Sequence, residues 1–267
     1  MKVLNLLAAV VTLLLVSCSS GIVMKSYWPS QAGLLRGEPL VVTSERNNET
    51  SNKLVNGIKK KLEQQNYYRI GVNDGNILYL HNIDVDINTS YYRDGNYKAY
   101  VTLSGDATFV SNGNVVFSRH YSFSDNGIIY RDSRDQCEWL IKYNDFIYDV
   151  VYDVVPYSYE YTVEIHPAKG NSMLEHAAEC CAEGNWEQGR FLAENSLTVF
   201  PNDPEGYYLL GMIARQERNF DEARAQFRKA AEFSYAERYN KAIADTDRIE
   251  QNEALVRKQM NGAPMPK

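Results

Sequence analysis

The stretch 171-NSMLEHAAECCAEGNWEQGRFLAENSLTVFPNDPEGYYLLGMIARQERNFDEARAQFRKAAEFSY-235 carries one pattern twice, in the same register. Ala177 and Gly211, Gly184 and Arg218, Trp186 and Phe220, and Ser196 and Ala230 each stand 34 residues apart. That is the period of a helix-turn-helix unit that buries its apolar face by stacking on the next copy. It implies an interaction module. It names no partner, and nothing elsewhere in the chain spells out a reaction.

A chain of 267 residues is long enough for two domains with separate cores. A net charge of -6 leaves no electropositive footprint for neutralising phosphates, which excludes nucleic acid as an expected partner. The 20 tyrosines exceed what one core needs. Tyrosine joins apolar area to a polar tip, so they point either to an aromatic-rich sheet or to an interface.

Lys2 and the apolar run Leu4 to Val16 read as a targeting segment, residues 1–17, because the run is shorter than the ~20 residues of a membrane span. It ends in Leu15-Val16-Ser17-Cys18, which resembles the bacterial lipobox. The resemblance implies that Cys18 is lipidated, with palmitate among its acyl chains, and becomes the mature N-terminus. An ordinary cleaved signal or a short anchor is the alternative. Each buried acyl methylene contributes about 0.8 kcal/mol, so a multiply acylated Cys18 holds the protein on a membrane. Ser19 rather than aspartate follows. In the lipoprotein class this implies the outer membrane, with the body facing the periplasm or the cell surface. Cys137, Cys180 and Cys181 then remain, an odd number. Adjacent cysteines on a helix point about 100° apart, so small buried thiols are expected, a bridge from Cys137 to Cys180 or Cys181 being the alternative.

Residues 18–37, with Pro29, Gly33 and Gly37, read as a tether. Residues 38–166 read as an α+β domain, mainly antiparallel sheet with two packed helices. Pro39 to Thr43 is a first strand, Leu54, Ile58 and Leu62 mark an amphipathic helix ending near Asn66, and Tyr67 to Ile70 is a second strand. Alternation then puts Ile77, Tyr79, His81, Ile83, Val85 and Ile87 on one face, with His81 either a hydrogen-bonded core residue or a ligand. Asn112-Gly113 favours a tight turn between the strand bearing Leu103, Ala107 and Phe109 and the one bearing Val115, Phe117, Tyr121 and Phe123. Arg131 to Val155 returns to helical spacing, with Leu140, Tyr143, Ile147, Val151 and Val154 inward and Asp145, Asp149 and Asp153 on a solvated side. Tyr157 to Ile165 is a final strand, and the proline and glycine of 166–171 mark the boundary.

Residues 170–258 form an all-α domain: two repeats, about 170–203 and 204–237, and a capping helix from Ala236. Tyr207, Leu210, Gly211, Ala214, Phe220, Ala223, Phe227 and Ala230 follow the order of small and large residues of the tetratricopeptide (TPR) family, which this region resembles. The first copy is degenerate, with Met173, His176, Ala177, Cys180, Gly184 and Trp186 in the same slots. The resemblance implies a concave protein-binding face near Tyr208, Met212 and Arg215. The tail, 259–267, with Gly262, Pro264 and Pro266, is expected to be disordered.

Motifs for chemistry fail on inspection. Asp84-Val85-Asp86-Ile87-Asn88 opens like a calcium loop, but Thr89 and Gly95 stand at its diagnostic glycine and glutamate places. His176 and Cys180 have a metal-compatible spacing but no second ligand pair. No nucleophile elbow, phosphate loop or dinucleotide pattern occurs. The expectation is therefore no catalytic residue, no cofactor and no metal. The first domain, from Val41-Val42-Thr43 through the Asn112-Gly113 hairpin to the helix before Pro156, resembles the small α/β domain of curli-secretion and penicillin-binding-protein-activator lipoproteins. The whole layout resembles an uncharacterised bacterial lipoprotein family in which such a domain precedes TPR repeats. It implies a non-enzymatic, membrane-anchored periplasmic adaptor or scaffold that binds a protein partner of the cell envelope. The alternative is a subunit of an outer-membrane export or surface-assembly complex, oligomerising through the α+β domain.

Overall fold

A computed structural model of the chain describes residues 21–71, 75–130 and 134–266. The expected signal peptide and Cys18 lie outside the described residues. The described chain is mixed α/β, with a β-rich N-terminal part in two sheets followed by helices. It divides into two compact units, a sheet unit of Tyr27–Tyr157 with residues 254–266, and a helical unit of residues 21–26 with Ser158–Glu253. The division thus falls ahead of the Pro- and Gly-bearing segment expected to mark it.

In the sheet unit, β2 (Pro39–Ser44) is followed by α1 (Glu49–Gln65), β3 (Arg69–Ile70), β4 (Asn76–Arg93), β5 (Asn96–Ser111) and β6 (Asn114–Tyr130). The sheet order is β3-β2-β4-β5-β6, with β2 parallel to β3 and β4 and the remaining pairs antiparallel. Asn48 caps α1 by accepting a hydrogen bond from Ser51 N at 2.8 Å, and Asn66 closes it in the left-handed conformation. A 3-10 helix (Arg134–Leu140) then leads into α2 (Tyr143–Val154). The buried faces of α1 (Leu54, Ile58, Leu62) and α2 (Phe146, Val150, Val154) join Leu40, Leu78, Leu80, Leu103 and Phe109 of the sheet in one core. Gly57 lets the helices close on each other, since a Cβ there would stand 2.3 Å from Ile147 Cδ1.

The expected face of β4 is corrected by a bulge. Asn82 has φ 53°, and the register steps from His81↔Asp106 to Asp84↔Ser104, so two residues of β4 oppose the single Gly105. Leu78 and Leu80 are buried before the bulge and Ile83 after it, which leaves Ile77, Tyr79 and His81 on the opposite side. There His81 Nε2 lies 2.9 Å from Thr108 Oγ1. Gly105 has no side chain to obstruct Ile83, whose Cδ1 would stand 2.3 Å from a Cβ at that position. The Asn112-Gly113 turn forms as its residues demand, both with positive φ.

Asp153 departs from the solvated stripe. Its carboxylate is buried and accepts from Arg119 Nη1 at 2.7 and 2.8 Å, from Tyr121 Oη at 2.5 Å and from Gln31 Nε2 at 2.8 Å. Burial, then the neighbouring Asp153 charge, holds the Asp149 carboxyl above the ordinary carboxylate range.

Neither terminal expectation survives. Residues 18–37 contain β1 (Ile22–Trp28) rather than a plain tether, and β1 pairs with β7 (Tyr157–Val163) in a separate two-stranded ribbon. The tail is packed: Met260 is buried in the sheet-unit core, with Ala263 and Met265 against it. Gln259 closes the same region, its side chain accepting from Ser30 N and donating to Ser30 O, both at 2.9 Å.

In the helical unit, α3 (Ser172–Ala182) precedes α4 (Trp186–Val199), α5 (Pro204–Gln216), α6 (Phe220–Phe233) and α7 (Glu237–Gln259), whose last turns belong to the sheet unit. The turns of the two helix pairs are alike bond for bond at a spacing of 34. Asn185 N donates to Cys180 O as Asn219 N does to Ala214 O, at 2.8 and 2.9 Å, and each asparagine caps the next helix. Gly211 admits Phe227, whose Cε1 would stand 2.4 Å from a Cβ at that position. As the first helix of the series, α3 leaves Met173 and His176 exposed, so these two are not interior positions.

Asp153→Ala would strand the Arg119 guanidinium and the buried Tyr121 hydroxyl, and is expected to cost about 2–3 kcal/mol, read as a lower urea midpoint. Asp149→Ala is expected to stay within about 0.5 kcal/mol. Equal midpoints for both variants would refute the buried network's contribution.

Candidate functional site

Helix α5 is buried all round, from Tyr208 through Arg215, because the neighbouring helices take its sides and ribbon residues Ile22, Met24 and Val163 join the same core. Tyr208, Met212 and Arg215, separated by four and three residues, fall on one face. They meet at a cleft of about 430 Å³ walled by β7 from Tyr161, by Glu164 and His166 beyond it, and by Arg238, Lys241, Ala242 and Asp245 of α7. All three expected binding residues are thus brought together. They form its floor rather than an open concave surface.

One side of the cleft is fully bonded. Glu205, buried in the first turn of α5, accepts from Tyr239 Oη at 2.6 Å and from His166 N at 2.9 Å, and pairs with Arg238 Nη1 at 3.4 Å. Arg238 also donates to Glu164 O at 2.7 Å, and its guanidinium lies 4.3 Å from the centre of the Tyr208 ring. Burial pushes the Tyr208 and Tyr161 hydroxyls above the usual phenol range, with the nearby arginines opposing it. Both stay neutral at physiological pH. Arg215 stands on the other side, its Nη1 donating to Tyr161 Oη at 3.3 Å.

Arg238, Lys241 and Asp245 were not singled out in the sequence. Their spacing of three and four on the last helix was the available signal, but it also suits any amphipathic cap. Among the described residues no three His, Cys, Asp or Glu side chains gather as a metal site. His176 is exposed and 3.0 Å from Glu179. No disulfide joins Cys137 to Cys180 or Cys181.

No family model matches the chain. No curated protein matches it either. Among solved structures, rare lipoprotein B from Shewanella oneidensis is similar at 16% identity and TM-score 0.29, over 43% of this chain and 90% of that one. A minor lipoprotein from Acinetobacter baumannii aligns at 14% identity and TM-score 0.29, over 42% and 85%. The PelC dodecamer from Paraburkholderia phytofirmans aligns at 17% identity and TM-score 0.24, over 50% and 95%.

Burial pushes the Cys181 thiol up to about 12, with the adjacent Cys180 adding to the rise, so it stays protonated near neutrality. Alkylation of the native protein at pH 8 is expected to modify half-buried Cys180 first. Cys181 and the buried Cys137 should react only on unfolding. Simultaneous labelling of all three by peptide mass mapping would contradict this packing.

Proposed function

We propose that the chain is a non-enzymatic lipoprotein of the bacterial envelope, anchored through Cys18, that holds a protein segment at the cleft over α5 and α7. In this reading the two helix pairs are TPR repeats, and the anchor places the body at the outer membrane. The observation that carries it is the meeting of Tyr208, Met212 and Arg215 at one cleft on the second pair. The bond-for-bond likeness of the two turns supports the repeat reading. The lipobox-like Leu15-Val16-Ser17-Cys18 supports the anchor. A photoreactive residue in place of Glu164, which is well exposed at the cleft, is expected to give a discrete protein adduct in intact cells. Cys18→Ala should abolish both membrane association and the adduct. An anchored protein that yields no adduct would reject the adaptor role.

A second reading, a subunit of an export or surface-assembly complex, is favoured by exposed aromatics of the sheet unit. Ile128 and Tyr130, 53% and 72% exposed, share one face of the sheet with the exposed Tyr100. Clustered apolar surface of this kind marks interfaces. Mass measurement in detergent is expected to give a multimer that Ile128→Ser with Tyr130→Ser dissociates. A monomeric wild type would remove this reading.

A further inference from the structure

β6 is the last strand of its sheet and pairs only with β5 among the described residues. Its 17 residues include no proline and no lysine, two of the usual means of blunting an open edge. Successive residues of a strand turn their backbone groups to alternate sides. The Tyr130 amide marks the outward set, because it donates to Gln136 Oε1 at 2.9 Å rather than to β5. No register shift interrupts the ladder from Tyr130 back to Phe117, so Ser118, His120, Ser122, Ser124 and Asn126 also turn their amides and carbonyls outward. Among the described residues the Asn126 amide is answered by Asp125 Oδ1 at 2.8 Å. The four before it face outward without such a cap.

The side chains of this edge fit a second copy of the same strand. An antiparallel pair centred on Ser122 sets Ser122 against itself, His120 against Ser124 and Ser118 against Asn126, all polar and all on the exposed face. On the other face it sets Arg119 against Asp125 twice, once on each side of the centre, and opposite charges across a seam stabilise it. Both are free to take part: Arg119 is half exposed and holds Asp153 through Nη1 alone, and Asp125 meets Lys142 through Oδ2. Phe117 and Phe123, only partly covered by their own core, gain further cover opposite Gly127 and Tyr121. A slip of two residues in either direction would set Arg119 against Phe123 or Gly127 and lose both charge pairs. A foreign strand would gain the backbone bonds but not this two-fold match.

We propose that two copies of the chain join through β6, continuing two five-stranded sheets into one about a two-fold axis at Ser122. In the pair the Asn126 amide passes from Asp125 to the Ser118 carbonyl of the second copy, which frees Asp125 Oδ1 for Arg119. The proposal rests on the self-association of the sheet unit put forward above.

Mass measurement of the full chain in detergent tests this, together with bismaleimide cross-linking of Ser122→Cys and mapping of the linked peptides. A dimer is expected, with a link joining position 122 of both copies. Ser122→Pro removes an outward amide that β5 does not use, so an edge strand tolerates it, and it should weaken the dimer about tenfold or more. Asp125→Lys sets like charges opposite each other, should weaken the dimer several-fold at low salt, and keeps the test valid should Ser122→Pro fold poorly. A dimer indifferent to both variants, or one without the link at position 122, would overturn the seam. A link from position 122 to a different protein would overturn the second copy as its occupant. If both variants leave a multimer intact that Ile128→Ser with Tyr130→Ser dissociates, the export-complex reading stands and this proposal falls. A dimer lost in Ser122→Pro but kept in Ile128→Ser with Tyr130→Ser would support the seam and reject the aromatic interface. A monomeric wild type would remove both.

Discussion

The sheet unit depends on one buried carboxylate. Taking Asp153 out of water is tolerable only because its oxygens receive Arg119 and Tyr121 from the edge strand β6 and Gln31 from the segment after β1. It sits where α2 ends and carbonyls lack helical partners. Asp153 O takes Gln31 N at 2.8 Å, and Val154 O takes Ser30 Oγ at 2.8 Å and the Tyr68 hydroxyl. The end of a single helix therefore fixes the edge strand, the loop after α1 and the N-terminal segment together. Ser30, once placed, offers its own N–H and carbonyl to Gln259, so the C-terminal tail is held through the same chain of bonds.

The helical unit handles buried charge in two opposite ways. Glu205 is answered by Tyr239, Arg238 and the His166 amide, a saturated arrangement that rigidifies the start of α5. Three turns later Nε and Nη2 of Arg215 are sealed from solvent with no acceptor among the described residues. An unanswered buried ion destabilises its surroundings, so its presence on a helix that is otherwise apolar and packed all round sets it apart from the structural charges. Function is the usual reason for such a local conflict.

How much of this was legible in the sequence follows from the range of the interactions. The turn at Asn112-Gly113, the capped helix from Asn48 to Asn66 and the 34-residue spacing of the helix pairs are local, and local residue chemistry announced them. Tyr208, Met212 and Arg215 were legible as one helical face for the same reason. The bulge at Asn82 was not, because a single left-handed asparagine resets the phase of a strand without disturbing its composition. β1 was missed because its partner β7 comes after the entire sheet unit in the chain. The tail was misread because its Gly and Pro residues signal disorder locally, while Met260 and Met265 find their partners in a core built from distant segments. Asp153 resembled Asp145 and Asp149 by spacing, and only Arg119 and Tyr121, on another element, distinguish it.

The ribbon also completes the core around the second helix pair. A helix of a second pair normally presents one face to a third. Here α6 and α7 cover one flank of α5, and Ile22, Met24 and Val163 from β1 and β7 enter the same core as Leu209, Ile213 and Phe227. Apolar area on this side of the helix pair is thus buried by a strand pair. A ribbon is narrower than a helix pair, however, and does not seal the polar end of the α5 face. What it leaves open is the cleft lined by Tyr208, Met212 and Arg215.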